Sequence, residues 1–216
     1  MTLRVLIADD QEIIRSGLKM ILESEPDITV VETAANGDEA VRLARSSVPD
    51  VCLLDIRMPK LDGIEATAAL AGPDVERPIP VVVLTTFDDD ENVHHALAAG
   101  ASGFLLKDVD TDLLVRAVRA AADGDALIAP AITARLLKKF ASPENRPEGL
   151  PEFEQLSERE EQILQDVAKG YTNLEIAEHL HISLNTVKSH LKSLMMKLNT
   201  RNRVELAIWA HRTGRM

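Results

Sequence analysis

Over the first 125 positions, short apolar runs alternate with longer stretches whose apolar residues recur every three or four places. The runs are Leu3–Ala8, Ile28–Glu32, Val51–Asp55, Pro80–Leu84 and Gly103–Leu106, and each reads as a strand. The stretches that follow them, Gln11–Ser24, Asp38–Ser46, Gly63–Ala71, Glu91–Ala99 and Thr111–Ala122, read as amphipathic helices. Five strand–helix units in succession predict a parallel sheet covered on both faces. The third run, VCLLD, is apolar up to its last residue, as a strand buried on both faces requires.

After Gly124 the pattern changes. Pro130–Phe140 has the composition of a further helix, and SPENRPEGLPE (142–152) then packs three prolines and a glycine into eleven residues, a linker composition. From Leu156 onward the pattern is helical with short breaks. Three helix starts carry capping-box spacing: Ser157 with Glu160, Thr172 with Glu175 and Asn202 with Glu205. The expected division is residues 1–124 as an α/β domain, 125–152 as a linker with a possible helix, and 153–216 as a small all-α domain.

Composition adds two points. Aromatic residues are only 3% of the chain, so the core must be built from Leu, Val, Ile and Ala. No run approaches the roughly 18 uncharged apolar residues of a membrane span. The N-terminus reads as a core strand rather than a signal peptide, and the single Cys52 cannot form an internal disulfide; both fit a cytoplasmic protein. The net charge of −11 is uneven. Residues 1–149 hold 15 Lys and Arg against 26 Asp and Glu, while residues 150–216 hold nine of each. Within the second part no acid occurs from His179 to Val204, where Lys188, Lys192, Lys197, Arg201 and Arg203 all lie.

The chemistry gathers at the strand ends. Parallel α/β sheets bind ligands beyond the carboxyl ends of their strands. Here strand one ends in Asp9-Asp10, strand three in Asp55 and strand four in Thr85-Thr86, and Lys107 follows strand five. Three crowded carboxylates repel, and a hard divalent cation such as Mg²⁺ relieves the conflict. A carboxylate beside a cation can accept a phosphoryl group, with Lys107 offsetting further negative charge and Thr85 supplying a hydroxyl donor. The alternative is that Asp10 caps the helix beginning at Gln11 and Asp55 only ends a strand. Four strand ends that each carry a suitable group weigh against it.

The text LIADDQ, LLDIRMPKLDG, VVVLTTF and GASGFLLKD over residues 3–122 resembles the receiver domain of bacterial two-component response regulators. The resemblance implies a flavodoxin-like (βα)5 fold and makes Asp55 the phosphoacceptor. Asp9, Asp10, Asp55 and the backbone carbonyl of Arg57 become the Mg²⁺ ligands, and Thr85 and Phe104 the paired switch residues. It departs from many receivers at Asp108, where those have proline after the lysine.

In the last domain, residues 173–199 read as two helices joined across His-Ile-Ser, the second starting after Ser183. Val187, Leu191, Leu194 and Leu198 form its buried stripe, while Asn185, Lys188, Ser189 and Lys192 share a polar face without acids. That is the arrangement with which a helix-turn-helix reads the major groove, with Thr186 beside that face and Arg201 and Arg203 placed for phosphates. The alternative is a solvated helix with scattered lysines. Residues 156–198 resemble the LuxR-type DNA-binding domain, here of four helices, and nearly the whole chain resembles the NarL/FixJ subgroup of response regulators. Leu174 stands where that family often has lysine. The family's last helix pairs two DNA-binding domains; in this chain it is expected over Val204–His211, with Trp209 in the core.

The resemblance implies a cognate sensor histidine kinase, double-stranded promoter DNA, a homodimer on phosphorylation, and contact with RNA polymerase. It implies no membrane partner and no enzyme activity beyond the chain's own phosphorylation and slow autodephosphorylation. Two rivals stand beside it: an aspartyl-phosphate phosphatase or phosphotransferase, and a DNA-binding regulator indifferent to phosphorylation. Such phosphatases place a second acid two residues after the nucleophile, where this chain has Arg57. His94-His95, the other four histidines and the Asp88–Asp90 run read as surface and loop residues rather than metal ligands.

Overall fold

The computed structural model describes residues 2–86, 90–125, 127–128 and 156–215. Phe87, the expected helix over Pro130–Phe140 and the linker text at 142–152 lie outside these. The chain forms two compact units, Met1–Ala129 and Pro130–Met216.

The first unit alternates β1 (Leu3–Ala8), α1 (Glu12–Glu23), β2 (Ile28–Ala34), α2 (Gly37–Ser47), β3 (Val51–Asp55), α3 (Gly63–Ala71), β4 (Val81–Thr85), α4 (Asp90–Ala98), β5 (Gly103–Leu106) and α5 (Thr111–Ala122). A two-residue strand β6 (Leu127–Ile128) follows. All strands pair in parallel, in the order β2-β1-β3-β4-β5-β6. This is the flavodoxin-like order, whose switch point lies between β1 and β3. Every residue of β3 and β4 is buried, as continuous apolar runs dictate.

Three expectations shift. Strand β4 runs to Thr85, which pairs with Leu106, and starts at Val81 rather than Pro80. Pro80 has no N–H to donate, though its carbonyl accepts from Cys52 at 2.9 Å. Strand β2 continues past Glu32 to Ala34, with an irregular register opposite Val5 and Leu6. The stretch from 125, expected as linker, includes β6, whose Leu127 and Ile128 pair with Gly103 and Phe104.

Helix α2 starts on Asn36, whose side chain accepts from the Glu39 N–H, and α3 on a full capping box of Asp62 and Glu65. Arg119 of α5 grips Asp27 through two bonds of 3.0 and 2.6 Å and Glu25 through one of 2.7 Å, fastening α5 to the turn before β2.

The second unit has four described helices, α6 (Glu158–Ala168), α7 (Asn173–His179), α8 (Leu184–Lys197) and α9 (Arg203–Thr213). Ile163 and Leu164, Ile176, the stripe Val187–Leu191–Leu194–Leu198, and Leu206 and Ala210 close one apolar core. Trp209 packs against its edge, with the Arg215 guanidinium 5.5 Å from the ring centroid. Ser157 and Thr172 form complete capping boxes. Asn202 caps α9, but the Glu205 carboxylate turns to Arg201 instead of closing the box. Among the described residues no helix is long and apolar enough to cross a membrane.

Candidate functional site

The carboxyl edge of the sheet carries the acidic site. Asp9 follows β1, Asp55 ends β3, Thr85 ends β4 and Lys107 follows β5. Parallel pairing aligns these ends, and the Lys107 N–H donates to the Thr85 carbonyl at 2.8 Å. Asp9, Asp55 and Thr85 are buried, while Asp10 is exposed. Carboxylate oxygens of Asp9, Asp10 and Asp55 lie within 4.8 Å of one another. Lys107 Nζ stands 2.5 Å from Asp9 Oδ2 and 3.1 Å from Asp55 Oδ2.

Asp9 also ties the site to α1. Its Oδ1 accepts from the Gln11 N–H at 2.9 Å, and its backbone carbonyl accepts from Arg15 at 2.7 Å. Asp10 is not the cap of α1; Gln11 holds that place, with no side-chain bond. Asp9 Oδ2 carries no hydrogen bond of regular geometry, so its contact with Lys107 is an off-axis ion pair. A buried carboxylate oxygen without a regular bond, facing two further carboxylates, fits a hard divalent cation with oxygen ligands.

The electrostatics agree. Burial pushes the Asp55 carboxyl above its ordinary value; Lys107 offsets part of this and the Asp9 charge adds to it. Burial alone would lower the Lys107 ammonium, but Asp9 and Asp55 reverse the sign and hold it raised. Phe104 lies fully buried on β5 beside Val83 of β4. Arg57 is exposed in the loop after β3, and Cys52, whose thiol burial pushes up to about 12, is inert core.

In the second unit α8 presents Asn185, Ser189 and Lys192 exposed, with Thr186 and Lys188 half-buried. Ser183 accepts from the Thr186 N–H, as a cap should. Arg201 is exposed and paired with Glu205 at 2.9 Å. Arg203 is placed otherwise than expected: its guanidinium donates to Asn173 Oδ1 at 2.6 Å and to the Tyr171 carbonyl, so it binds the start of α7. Lys197 is likewise turned inward, 2.9 Å from the buried Glu160 carboxylate, which also accepts from Ser193. No motif marked Glu160 as the tie between α6 and α8, though its capping-box spacing placed it at the helix start.

Two family models match the chain: the response regulator receiver domain over residues 5–119 and the luxR family of bacterial regulatory proteins over residues 154–210. The nitrate/nitrite response regulator protein NarL of Escherichia coli (strain K12) is 37% identical over 207 residues, covering 96% of this chain and 94% of that protein. The chain is a response regulator of the NarL/FixJ subgroup. The crystal structure of response regulator ChrA, from a heme-sensing two-component system, is 36% identical to this regulator, with TM-score 0.54 over 100% of this chain and 99% of that one. A structure of RcsB dimers bound to DNA is 26% identical, with TM-score 0.56 over 98% and 99%. The response regulator thus joins a receiver domain to a LuxR-type DNA-binding domain and acts in transcription regulation. Its acidic cluster can hold a metal ion.

Proposed function

We propose that Asp55 accepts the phosphoryl group from the phosphohistidine of a cognate sensor histidine kinase, and that this controls binding of the C-terminal domain to promoter DNA. The observation that carries the reading is the convergence of Asp9, Asp10, Asp55 and Lys107 at one sheet edge. In the transfer an Asp55 oxygen forms the new P–O bond, the P–N bond breaks, and the histidine nitrogen keeps the electron pair. Asp9, Asp10, Asp55 and the Arg57 carbonyl would hold Mg²⁺, which would supply charge neutralisation at the transferring oxygens. Lys107 swings its ammonium from the free carboxylates to the phosphoryl oxygens. Thr85 donates its hydroxyl to them, and Phe104 repacks behind it.

Arg57 in place of a second acid supports acceptance over turnover on a separate substrate: the protein is not an enzyme beyond its own phosphorylation and slow autodephosphorylation. In the DNA-binding domain, Asn185, Thr186, Lys188, Ser189 and Lys192 face the major groove, and Arg201 takes phosphate. Arg203 holds the helix-turn-helix together instead of touching phosphate. Dimers occupy two half-sites about one helical turn apart. RNA polymerase is a further partner, and the cytoplasm the place of action.

The test is incubation with a small-molecule phosphoryl donor and Mg²⁺, read by intact mass and by binding to selected operator DNA. Wild type should gain one phosphoryl group and bind more tightly, and Asp55→Asn should do neither. An equal mass gain on Asp55→Asn overturns the acceptor assignment. Equal DNA affinity with and without the modification overturns the control.

A further inference from the structure

The loop Ile56–Asp62, between β3 and α3, carries the Arg57 carbonyl. It is cross-bonded within itself: the Ile56 carbonyl accepts from Met58 at 3.1 Å and from Gly63 at 2.8 Å, and the Pro59 carbonyl accepts from Leu61 at 3.0 Å. From outside, the Gly37 N–H at the start of α2 donates to the Leu61 carbonyl at 3.1 Å. Gly37 is buried. Its φ is not positive, so its backbone conformation suits any residue. What glycine supplies here is space: a Cβ would stand 2.3 Å from the Leu61 oxygen, 2.9 Å from the Leu61 carbonyl carbon and 3.1 Å from the Asp62 oxygen, all backbone atoms.

We propose that Gly37 is a positioning residue for the cation site, setting where the loop that bears the Arg57 carbonyl stands relative to Asp9, Asp10 and Asp55. The inference rests on the cation reading given under Proposed function. The start of α2 is held by Asn36, which accepts from the Glu39 N–H at 3.0 Å, and by Glu39, which accepts from the Ala35 N–H at 2.9 Å. A rigid helix start pressed into a cross-bonded loop passes displacement on as a block. Real Cβ atoms essentially never come within 3.0 Å of another heavy atom, so alanine forces helix and loop apart by at least 0.7 Å. Mg²⁺ demands near-ideal octahedral geometry, with ligand distances held to about 0.2 Å. A loop that takes up even half of this separation moves its carbonyl beyond that tolerance and out of the ligand set.

The experiment is calorimetric titration of Mg²⁺ into the full-length wild type, Gly37→Ala and Asn36→Ala, with circular dichroism to check folding. Asn36→Ala weakens the α2 cap without adding bulk against the loop. Gly37→Ala should bind Mg²⁺ on the order of 10-fold more weakly, the scale for groups that orient metal ligands. Asn36→Ala should stay within about twofold of wild type. Unchanged affinity in Gly37→Ala, or equal weakening in both variants, overturns the inference. Absence of Mg²⁺ binding by the wild type overturns the cation reading, and the inference with it. A wild-type measurement stands even if Gly37→Ala fails to fold: bound Mg²⁺ should slow hydrogen exchange at the Gly37 amide, because coupling between site and clamp is reciprocal. No change in that amide's exchange also overturns it.

Discussion

Replacing Glu160 by Gln should destabilise the C-terminal unit at neutral pH, and the loss should shrink in acid. Glu160 is only 4% exposed, and both its oxygens are engaged. Oε2 accepts from the Ser157 N–H at 2.8 Å, the Ser157 hydroxyl at 2.9 Å and the Lys197 ammonium at 2.9 Å, while Oε1 accepts from the Ser193 hydroxyl at 2.9 Å. Burial alone would raise this carboxyl, but the Ser157 amide, Lys197 and the two hydroxyls outweigh it and hold the group down at about 2, against an ordinary 4.5. At about 1.4 kcal/mol per pH unit, that favours the folded, charged form by about 3 kcal/mol. Lys197 remains 26% exposed, so solvent screens the pair and the expected loss falls to about 2 kcal/mol. Glutamine keeps one acceptor oxygen but points an NH₂ at groups that are themselves donors.

The sign follows from the direction of the shift. A depressed carboxyl contributes stability that is fully present above its unfolded value of 4.5 and is lost as pH falls through about 2. Wild type and Glu160→Gln should therefore differ most near neutrality and converge in acid. The assay is guanidinium unfolding of the full chain followed by tryptophan fluorescence. Trp209 is the single tryptophan and packs against the C-terminal core, so its signal reports that unit. A difference below about 0.5 kcal/mol at neutral pH, or one that stays constant down to about pH 3, refutes the reasoning.

Two further predictions concern a strained cap and the basic residues. Val48 ends α2 in the left-handed region, with φ 46° and ψ 66°, although it is β-branched and 62% exposed. Val48→Gly should stabilise the receiver unit by about 1 kcal/mol and raise its calorimetric transition by several degrees; a lowered transition would show that the Val48 conformation carries no strain. Lys192→Ala should leave guanidinium unfolding unchanged but weaken DNA binding and reduce the salt slope by about 1, whereas Arg203→Ala should lose about 1–2 kcal/mol of C-terminal stability. The reverse pattern in the two assays would contradict the assigned roles.

Much of the acidic site was legible because a parallel sheet leaves one choice of edge. Once VCLLD is read as a strand buried on both faces, Asp55 must lie at its carboxyl end; β1 beside it brings Asp9, and β5, on the far side of β4, brings Lys107. Strand β6 was not legible: two residues are too few for a period, and their pairing depends on what lies beside β5. Nor was the role of Arg203, because one of its acceptors is the Tyr171 carbonyl, a group every residue carries and no motif marks. The Asn202–Glu205 box failed for a similar reason: spacing offered a reciprocal cap, but Arg201 supplies both a backbone N–H and a guanidinium to the same carboxylate.

The acid-free run from His179 to Val204 shows how far a charge count reaches. It contains five cations, yet the folded domain brings acceptors from outside the run to Lys197 (Glu160), Arg201 (Glu205) and Arg203 (Asn173 and Tyr171). These pairings are not equivalent. Glu160 is buried and takes several donors, so drawing Lys197 away would leave a desolvated carboxylate without its cation, at a cost of about 1–2 kcal/mol. The Arg201–Glu205 pair is a surface i,i+4 contact of about 0–1 kcal/mol, which a DNA phosphate can outbid. Arg201 and the exposed polar side of α8, with Asn185, Ser189 and Lys192, therefore stay open to solvent, which is what the proposed DNA contact requires of them.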